Sequence, residues 1–491
     1  MRVSFVNPNL QGELIPNIGL AYLMTVTDPF HEISLIDLTF HRNNWKTFVK
    51  TMIIKYRPEV VAISCLTFNF EISLKILSYI KEIDPTINSI FGGIHPTLLP
   101  KEVLAHELVD AICIGEGEET FLEYLNQLEK GESLKGIKGI WFKENGKIIH
   151  NELRPLIPNL DNLPFPNWDL WDIGKYLKSP SHMHYMDILA SRGCPYNCTY
   201  CSNHALRRIL PGKYVRYRSA ENIINEIKSM KEKYQRMGFK FINFWDEIFG
   251  LNKKILEEFC QKYIDEGLHE EIFWTCNNRA DLVSEKWARL VKKAGCFLVR
   301  MGIESGNETI RNKIYNKKIT NQQIVDATRI LKKNDIMIRF NLMLGGPGET
   351  IGTMEESVKI VKKLKPDTFF FSIFQPLPKT RIIEKIRKLK GKIYENGWKN
   401  NPNFLQKSLI DFPHLKRKDI EKFKKKITLK FIWSFFWQGL ALKNFIFIKD
   451  IIKFFASIKP RHHILIQYLL IYTIRKYQIQ AWLKRNAKIN S

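Results

Sequence analysis

Short apolar runs alternate with stretches of helical period along most of the chain. No other feature constrains its fold as much. Residues 2–6, 33–36, 60–64, 89–92 and 111–114 are runs of mostly apolar residues, and 15–25, 45–56, 71–83 and 118–129 carry apolar residues at helical spacing. Strands that are short and continuously apolar are covered on both faces, and the helices between them are crossovers. The pattern predicts a five-stranded, doubly wound α/β domain whose ligand lies at the carboxyl ends of the strands. The alternation resumes at 186–190, 239–245, 272–276, 297–303, 337–344 and 368–374, with amphipathic helices such as 220–234, 284–293 and 321–334 between the runs. This second block predicts a partial (β/α)6 barrel with its chemistry on the loops that follow the strands.

Between the blocks, 140–143 and 147–150 flank Glu144-Asn145-Gly146, a hairpin signal, and 156–166 is rich in Pro and Asn. The expected organisation is therefore a doubly wound domain over 1–135, a hairpin and linker over 136–180, a barrel over 181–400 and a helical tail over 401–491. The tail stands apart in charge. From 416 to the end there are 18 Lys and Arg against Asp419, Glu421 and Asp450, so this stretch holds +15 of the chain's net +26. An anionic partner is expected for so basic a chain. Charged residues at 26% and hydrophobic residues at 45% exclude disordered and collagen-like classes. No uncharged apolar stretch reaches the ~18–20 residues of a spanning helix. The first residues read as a strand, with no signal peptide, so a cytoplasmic location is expected.

The eight Cys do not form a disulfide framework in a chain of this length. Three of them fall in Cys194-Pro195-Tyr196-Asn197-Cys198-Thr199-Tyr200-Cys201, a C-x3-C-x2-C loop directly after the first barrel strand. Three thiolates on one tight loop can hold three irons of a cubane and leave the fourth without a protein ligand. The alternative is zinc with His204 as a fourth ligand, although zinc sites favour paired C-x2-C units. Cys260, Cys276 and Cys296 are scattered and read as buried small hydrophobes, with Cys276 a candidate to face the substrate.

At the cysteine loop the chain resembles the radical S-adenosylmethionine (SAM) superfamily, whose signature has an aromatic before the last Cys, here Tyr200. The resemblance, over about 185–385, implies a [4Fe-4S] cluster on Cys194, Cys198 and Cys201. Its open iron would bind SAM, and reductive cleavage would yield a 5′-deoxyadenosyl radical. A flavodoxin- or ferredoxin-type electron donor is implied as a partner. Other strand-end motifs fall in the expected order. Asp246 and Glu247 follow the second barrel strand, near the SAM amine. Glu304 and Ser305 follow the fourth, where a carboxylate could meet ribose hydroxyls. Gly346 and Glu349 belong to Leu344-Gly345-Gly346-Pro347-Gly348-Glu349-Thr350 after the fifth. With Tyr200 these are the expected SAM contacts.

The first block is similar to the cobalamin-binding domain fused to many radical SAM proteins. Ser64 and Thr67 stand at the end of its third strand, Gly92 and Gly93 at the fourth, Gly115 and Gly117 at the fifth. These are the expected cobalamin contacts, since glycines at successive strand ends leave room for a flat ligand. The Asp-x-His-x-x-Gly of the His-on branch is missing, because the first strand leads into Asn7-Pro8-Asn9-Leu10-Gln11-Gly12. His31, His41 and His95 read as solvent-facing or loop-forming, so cobalamin would bind without an axial His. A vestigial domain that binds nothing is the alternative.

The tail reads either as helices packed on the barrel or as interfacial helices on an anionic membrane. Its aliphatic content favours lipid over RNA as an anionic partner. The expected function is a cobalamin-dependent radical SAM enzyme that methylates an unactivated carbon of a small molecule or lipid. Cyclisation, oxidation or rearrangement is a second possibility, and a non-catalytic iron–sulfur binding or sensor protein a third.

Overall fold

A computed structural model describes residues 1–10, 15–178, 185–394 and 406–441, with side chains as far as Phe431. The side chains of Trp433, Phe435, Phe436 and Trp437, and the whole of the apolar runs at 444–455 and 464–474, lie outside the described residues.

The first sheet contains β1 (Arg2–Asn7), β2 (Glu32–Asp37), β3 (Val60–Ser64), β4 (Asn88–Gly92), β5 (Ala111–Cys113), β6 (Ile140–Glu144) and β7 (Lys147–His150). The spatial order is β2-β1-β3-β4-β5-β6-β7. The first five strands are parallel, and β1 pairs with both β2 and β3, so the strand order reverses there. The hairpin expected in the linker instead pairs antiparallel with β5 and extends the sheet to seven strands. The reason is local: Asn145 and Gly146 both take positive φ, which closes a turn tight enough for Trp141–His150 pairing, and β5 otherwise offers an open edge. Strand residues alternate between two cores. Val3 and Phe5 pack with helices Ile18–Thr27 and Glu118–Lys130. Val6, Val61 and Ile63 pack with helices Trp45–Tyr56 and Phe70–Ile83.

The second sheet comprises β8 (Tyr185–Ile188), β11 (Phe241–Phe244), β12 (Phe273–Asn278), β13 (Cys296–Glu304), β14 (Met337–Leu344) and β15 (Thr368–Ile373); a small pair, β9 (Ser191–Arg192) and β10 (Arg216–Tyr217), follows β8 in the chain. All six main strands are parallel, in the order β15-β14-β13-β12-β11-β8. This is the expected partial barrel. Its amino-terminal end is plugged by Tyr185, Phe241, Phe273, Phe297, Leu298 and Met337, with ring centroids 5.3–5.4 Å apart for Phe241–Phe297 and Tyr185–Phe241. The interior therefore opens at the carboxyl ends of the strands.

The Pro/Asn-rich linker is folded and docked. Asn159 and Asn167 cap two short 3-10 turns, and Trp168, Trp171, Ile173, Tyr176 and Leu177 join the core that runs from the first sheet into the barrel. The Tyr176 hydroxyl donates to Asp37 (2.6 Å), and the Asn167 amide donates to Thr25 (2.7 Å). Cys260, Cys276 and Cys296 converge as fully buried thiols between the barrel sheet and helix Lys253–Asp265. Cys276 thus faces outward into this core and not toward a substrate.

The start of the tail is a packing element. Helix Arg417–Ala441 buries Ile420, Phe423 and Ile427, and Phe431 sits 4.5 Å from the ring of Phe369 on β15. Lys424 is 4% exposed, and burial lowers its amine to about 7. Among the described residues no helix is long and apolar enough to cross a membrane.

Candidate active site

The cysteine loop leaves β9 through Gly193. This residue takes φ +88°, and a Cβ there would stand 2.2 Å from the Tyr214 carbonyl oxygen, so no side chain fits. The loop is gripped along its length. The Thr199 amide and hydroxyl donate to the carbonyls of Tyr315 (2.9 Å) and Ile314 (2.7 Å). Asn316 donates to the Asn197 carbonyl (2.9 Å), and Arg207 to that of Pro195 (2.7 Å). The Arg279 guanidinium lies 3.7 Å from the ring centre of Tyr196 and donates to the Lys317 carbonyl (2.7 Å).

Cys194, Cys198 and Cys201 are free thiols on this loop, the first two buried and the third partly so. Burial, and then the proximity of the other thiols and Glu247, pushes Cys194 up to about 11 and raises Cys201. Such thiols ionise when a cation binds them. Among the described residues no three His, Cys, Asp or Glu side chains converge closely enough to hold a single metal ion. Zinc needs that convergence, whereas the three ligands of a cubane each take a different iron. His204 is buried against the backbone of Cys198 and Cys201, and its Nε2 accepts a hydrogen bond from the Arg381 amide (3.2 Å).

Around the thiols the strand-end residues separate into two sets. Glu247 is exposed and sits beside Cys194 and Cys201, hydrogen-bonded by Asn203 and the Gly193 amide; surrounding protein raises its pKa. Tyr200 and Glu304 share Lys317, whose ammonium is 3.3 Å from the Tyr200 hydroxyl and 2.9 Å from the Glu304 carboxylate. Glu304 sits in the left-handed region at φ +66°, beside a register shift in β13, a strain of about 1–3 kcal/mol of the kind that gathers at active sites. A Cβ on Gly302 would come within 2.3 Å of the Glu304 carboxylate, so this glycine makes room for the ion pair. Glu247, Tyr200 and Glu304 therefore border the thiols.

Asp246, Ser305, Gly346 and Glu349 form the other set, turned inward onto protein. Asp246 is 1% exposed and accepts from the Ala190 amide (3.1 Å) and the Ser191 hydroxyl, tying the ends of β8 and β11; burial pushes it up to about 7. Glu349 is fully buried, accepts from the Gly346 amide (3.0 Å) and the Ser305 hydroxyl (3.3 Å), and is also raised by burial to about 7. A Cβ on Gly346 would stand 1.9 Å from the Tyr315 hydroxyl. The barrel also holds a buried polar ladder absent from the sequence reading: Asn243 donates to Asp187 (2.7 Å), and Arg300 bonds Asn243 and the Phe244 carbonyl.

Polar groups at the strand ends of the first sheet are bonded to one another, as in Asn7 to Asp37 (2.9 Å). Ser64 accepts from Asn17 (3.1 Å), and Thr67 lies 3.3 Å from His95 Nδ1. Gly93 takes φ +100° with its missing Cβ 2.8 Å from the Cys65 carbonyl; Gly115 takes φ +89°. Space beside Gly92 and Gly117 is looser, with neighbours at 3.9 and 3.3 Å. These bare backbones form a shelf suited to a large flat ligand. The three histidines are placed as follows. His31 is buried at the opposite pole between the Met1 amine (3.2 Å) and Asn126 (3.2 Å); it is not solvent-facing as expected. His41 stacks on Phe48 at 3.6 Å. His95 is also buried, 4.4 Å from Phe70.

The two sets of strand ends meet. Helix Ile94–Leu98 touches helix Asn203–Ile209, which follows the cysteine loop. The missing Cβ of Gly115 would stand 3.1 Å from Leu210. Glu116, between Gly115 and Gly117, reaches Arg192 (2.8 Å) and Arg216 (2.7 Å), and Glu118 reaches Arg192 (2.6 Å).

Comparisons with known proteins agree with this geometry. Residues 188–361 match the family model described as the radical SAM superfamily, and 11–125 match that of the B12 binding domain. An uncharacterized methyltransferase of Pyrococcus horikoshii is 35% identical over 370 residues, covering 75% of this chain and 78% of that protein. An anaerobic magnesium-protoporphyrin IX monomethyl ester cyclase of Cereibacter sphaeroides is 25% identical, covering 79% of this chain and 64% of the cyclase. Among solved structures, the cobalamin-dependent SAM radical enzyme OxsB, with aqua-cobalamin and SAM bound, superposes with a TM-score of 0.70 at 18% identity, covering 98% of this chain and 71% of OxsB. The thiol loop at the head of a six-stranded partial barrel, and the glycine shelf facing it, are thus those of an enzyme of the radical SAM superfamily that carries a B12-binding domain, and to that family this chain belongs.

Proposed function

We propose that the chain is a cobalamin-dependent radical SAM methyltransferase acting on a small molecule. The observation that carries this reading is the meeting of the glycine shelf with the thiol loop, which puts two cofactor sites on one space. The relative of Pyrococcus horikoshii named as a methyltransferase supports it. Cys194, Cys198 and Cys201 would hold a [4Fe-4S] cluster. Tyr200, Glu247 and Glu304 would border SAM, with Asp246, Ser305, Gly346 and Glu349 holding the loops behind them. Ser64, Thr67, Gly92, Gly93, Gly115 and Gly117 would line the cobalamin shelf, with no axial His. The bound groups supply the radical chemistry and the transferable methyl group.

The chain's own residues do the positioning. Glu247, beside the thiols, can accept from an ammonium group. Lys317 holds the Tyr200 ring and the Glu304 carboxylate in one orientation, so neither must reorganise when a ligand arrives. The aromatic plug at the amino-terminal end excludes water from below. A reductant of flavodoxin or ferredoxin type completes the reading.

Anaerobically reconstituted protein with SAM, a reductant and cobalamin tests the proposal. It should form 5′-deoxyadenosine, and S-adenosylhomocysteine only when cobalamin is present. 5′-Deoxyadenosine alone would favour the cyclase-like reading, which similarity to the Cereibacter sphaeroides cyclase supports. Neither product would leave a binding or sensor protein.

A further inference from the structure

Glu116 stands between two glycines of the shelf, yet its carboxylate turns away from it. Oε1 accepts from Arg192 (2.8 Å) and Arg216 (2.9 Å); Oε2 accepts from Arg216 (2.7 Å) and from the Ile157 amide (2.8 Å). Arg192 spends its other terminal nitrogen on Glu118 (2.6 Å), and its guanidinium lies 5.2 Å from the ring of Tyr22. Arg216 also donates to the Ile157 carbonyl (2.7 Å). Two positive and two negative side chains are balanced here, and none is more than 17% exposed.

A buried, charge-balanced network of this kind contributes little net stability over an apolar contact, but its forked geometry fixes orientation. Its endpoints matter. Arg192 lies in β9, in register with Arg216 on β10, two positions before Cys194. The residue between, Gly193, has no room for a side chain against the Tyr214 carbonyl. Glu116 is bonded in sequence to both Gly115 and Gly117. No flexible loop separates the shelf from the thiol loop along this route.

We infer that Glu116, Arg192 and Arg216 are positioning residues that lock the cobalamin shelf to the cysteine loop, so that filling one cofactor site is felt at the other. The inference rests on the two-cofactor reading above. Coupling carried by such a network is reciprocal: if SAM changes cobalamin affinity, cobalamin must change SAM affinity by the same factor.

The test uses full-length protein with its cluster reconstituted. Cobalamin is titrated by absorbance with and without SAM. In the unaltered chain SAM should shift the cobalamin Kd by about 5–150-fold. Glu116→Gln and Arg192→Lys should each bring that shift to within about twofold of none while both ligands still bind. Thr25→Val loses a different interdomain hydrogen bond, that from the Asn167 amide, and should keep the full shift. Should Glu116→Gln fail to fold, Glu116→Asp keeps the charge, shortens its reach and should weaken the shift. An unaltered shift in the Glu116 or Arg192 variants, or no shift in the parent chain, overturns the inference. Independent binding of both ligands would overturn this inference alone, whereas a chain that takes up no cobalamin would undo the two-cofactor reading as well.

Discussion

Two sheets present the carboxyl ends of their parallel strands to one space, and they furnish those edges in opposite ways. The first sheet removes side chains where the shelf lies: Gly92, Gly93, Gly115 and Gly117 leave bare backbone, and the polar groups beside them are bonded to one another or to the second domain. The second sheet adds them: three thiols, Glu247, the Tyr200–Lys317–Glu304 cluster, and buried Asp246 and Glu349 behind. The contrast teaches what each edge is for. A ligand that brings its own chemistry needs shape and close backbone approach. A site that must hold metal and orient a charged small molecule needs donors fixed in advance.

The largest effect that would break this comparison lies on the thiol side. Cys194→Ala, Cys198→Ala or Cys201→Ala should each abolish SAM cleavage and leave a labile cluster, seen as lost iron and sulfide after reconstitution. Cobalamin uptake should survive. Gly93→Val should do the reverse, because its Cβ would press on the Cys65 carbonyl at a positive φ: cobalamin binding is lost and iron content stays. If both variants lost both cofactors, the two edges would be one site.

Lys317→Met tests the fixed donors. It strands the Glu304 carboxylate, 13% exposed, and should cost about 3–5 kcal/mol in thermal or denaturant unfolding, with weaker SAM binding.

Glu349 carries a pH signature. Its acid is raised from 4.5 to about 7 by burial, so the folded state binds the proton more tightly than the unfolded chain. Its contribution is full below pH 4.5 and is lost as pH rises to about 7, a decline of about 3 kcal/mol at 1.36 kcal/mol per unit. Glu349→Gln should flatten that part of the stability profile; an unchanged slope would refute the assignment.

The smallest effect belongs to Gly117→Ala. Its φ is ordinary, and the new methyl would press only on the flexible end of Leu23 at 3.3 Å, with Cys113 Sγ at an ordinary 3.7 Å, so stability should move by less than about 1 kcal/mol. Cobalamin affinity should fall if Gly117 lines the shelf.

What the chain reveals without a structure follows the range of the interactions. The strands were readable because a parallel strand covered on both faces is a continuous apolar run. The thiol loop was readable because its ligands are neighbours in sequence. The hairpin at 140–150 was readable as a hairpin, but nothing local says that its edge joins β5. The partnership of Glu116 with Arg192 and Arg216 spans 76 and 100 positions, and Gly115-Glu116-Gly117-Glu118 reads as a strand-end motif with no hint that its carboxylates cross to another domain. Lys317 sits in an unremarkable basic stretch. Cys260, Cys276 and Cys296 looked scattered because a sheet and a helix bring them together. The tail's charge drew attention to surfaces, while its described helix spends Ile420, Phe423 and Ile427 on the barrel.

That helix bears on the order of events at the ribosome. Ile420 lies where a side chain on Gly345 would stand, 2.6 Å away, so the loop after β14 finds its final neighbour near the end of translation. The thiol loop emerges far earlier. At about 5–20 residues per second, on the order of 10–40 s separate Cys201 from Ile420. During that interval the barrel's last strand lacks its cover. Completion of the barrel thus waits on one of the last-made helices, long after the thiol loop has been synthesised.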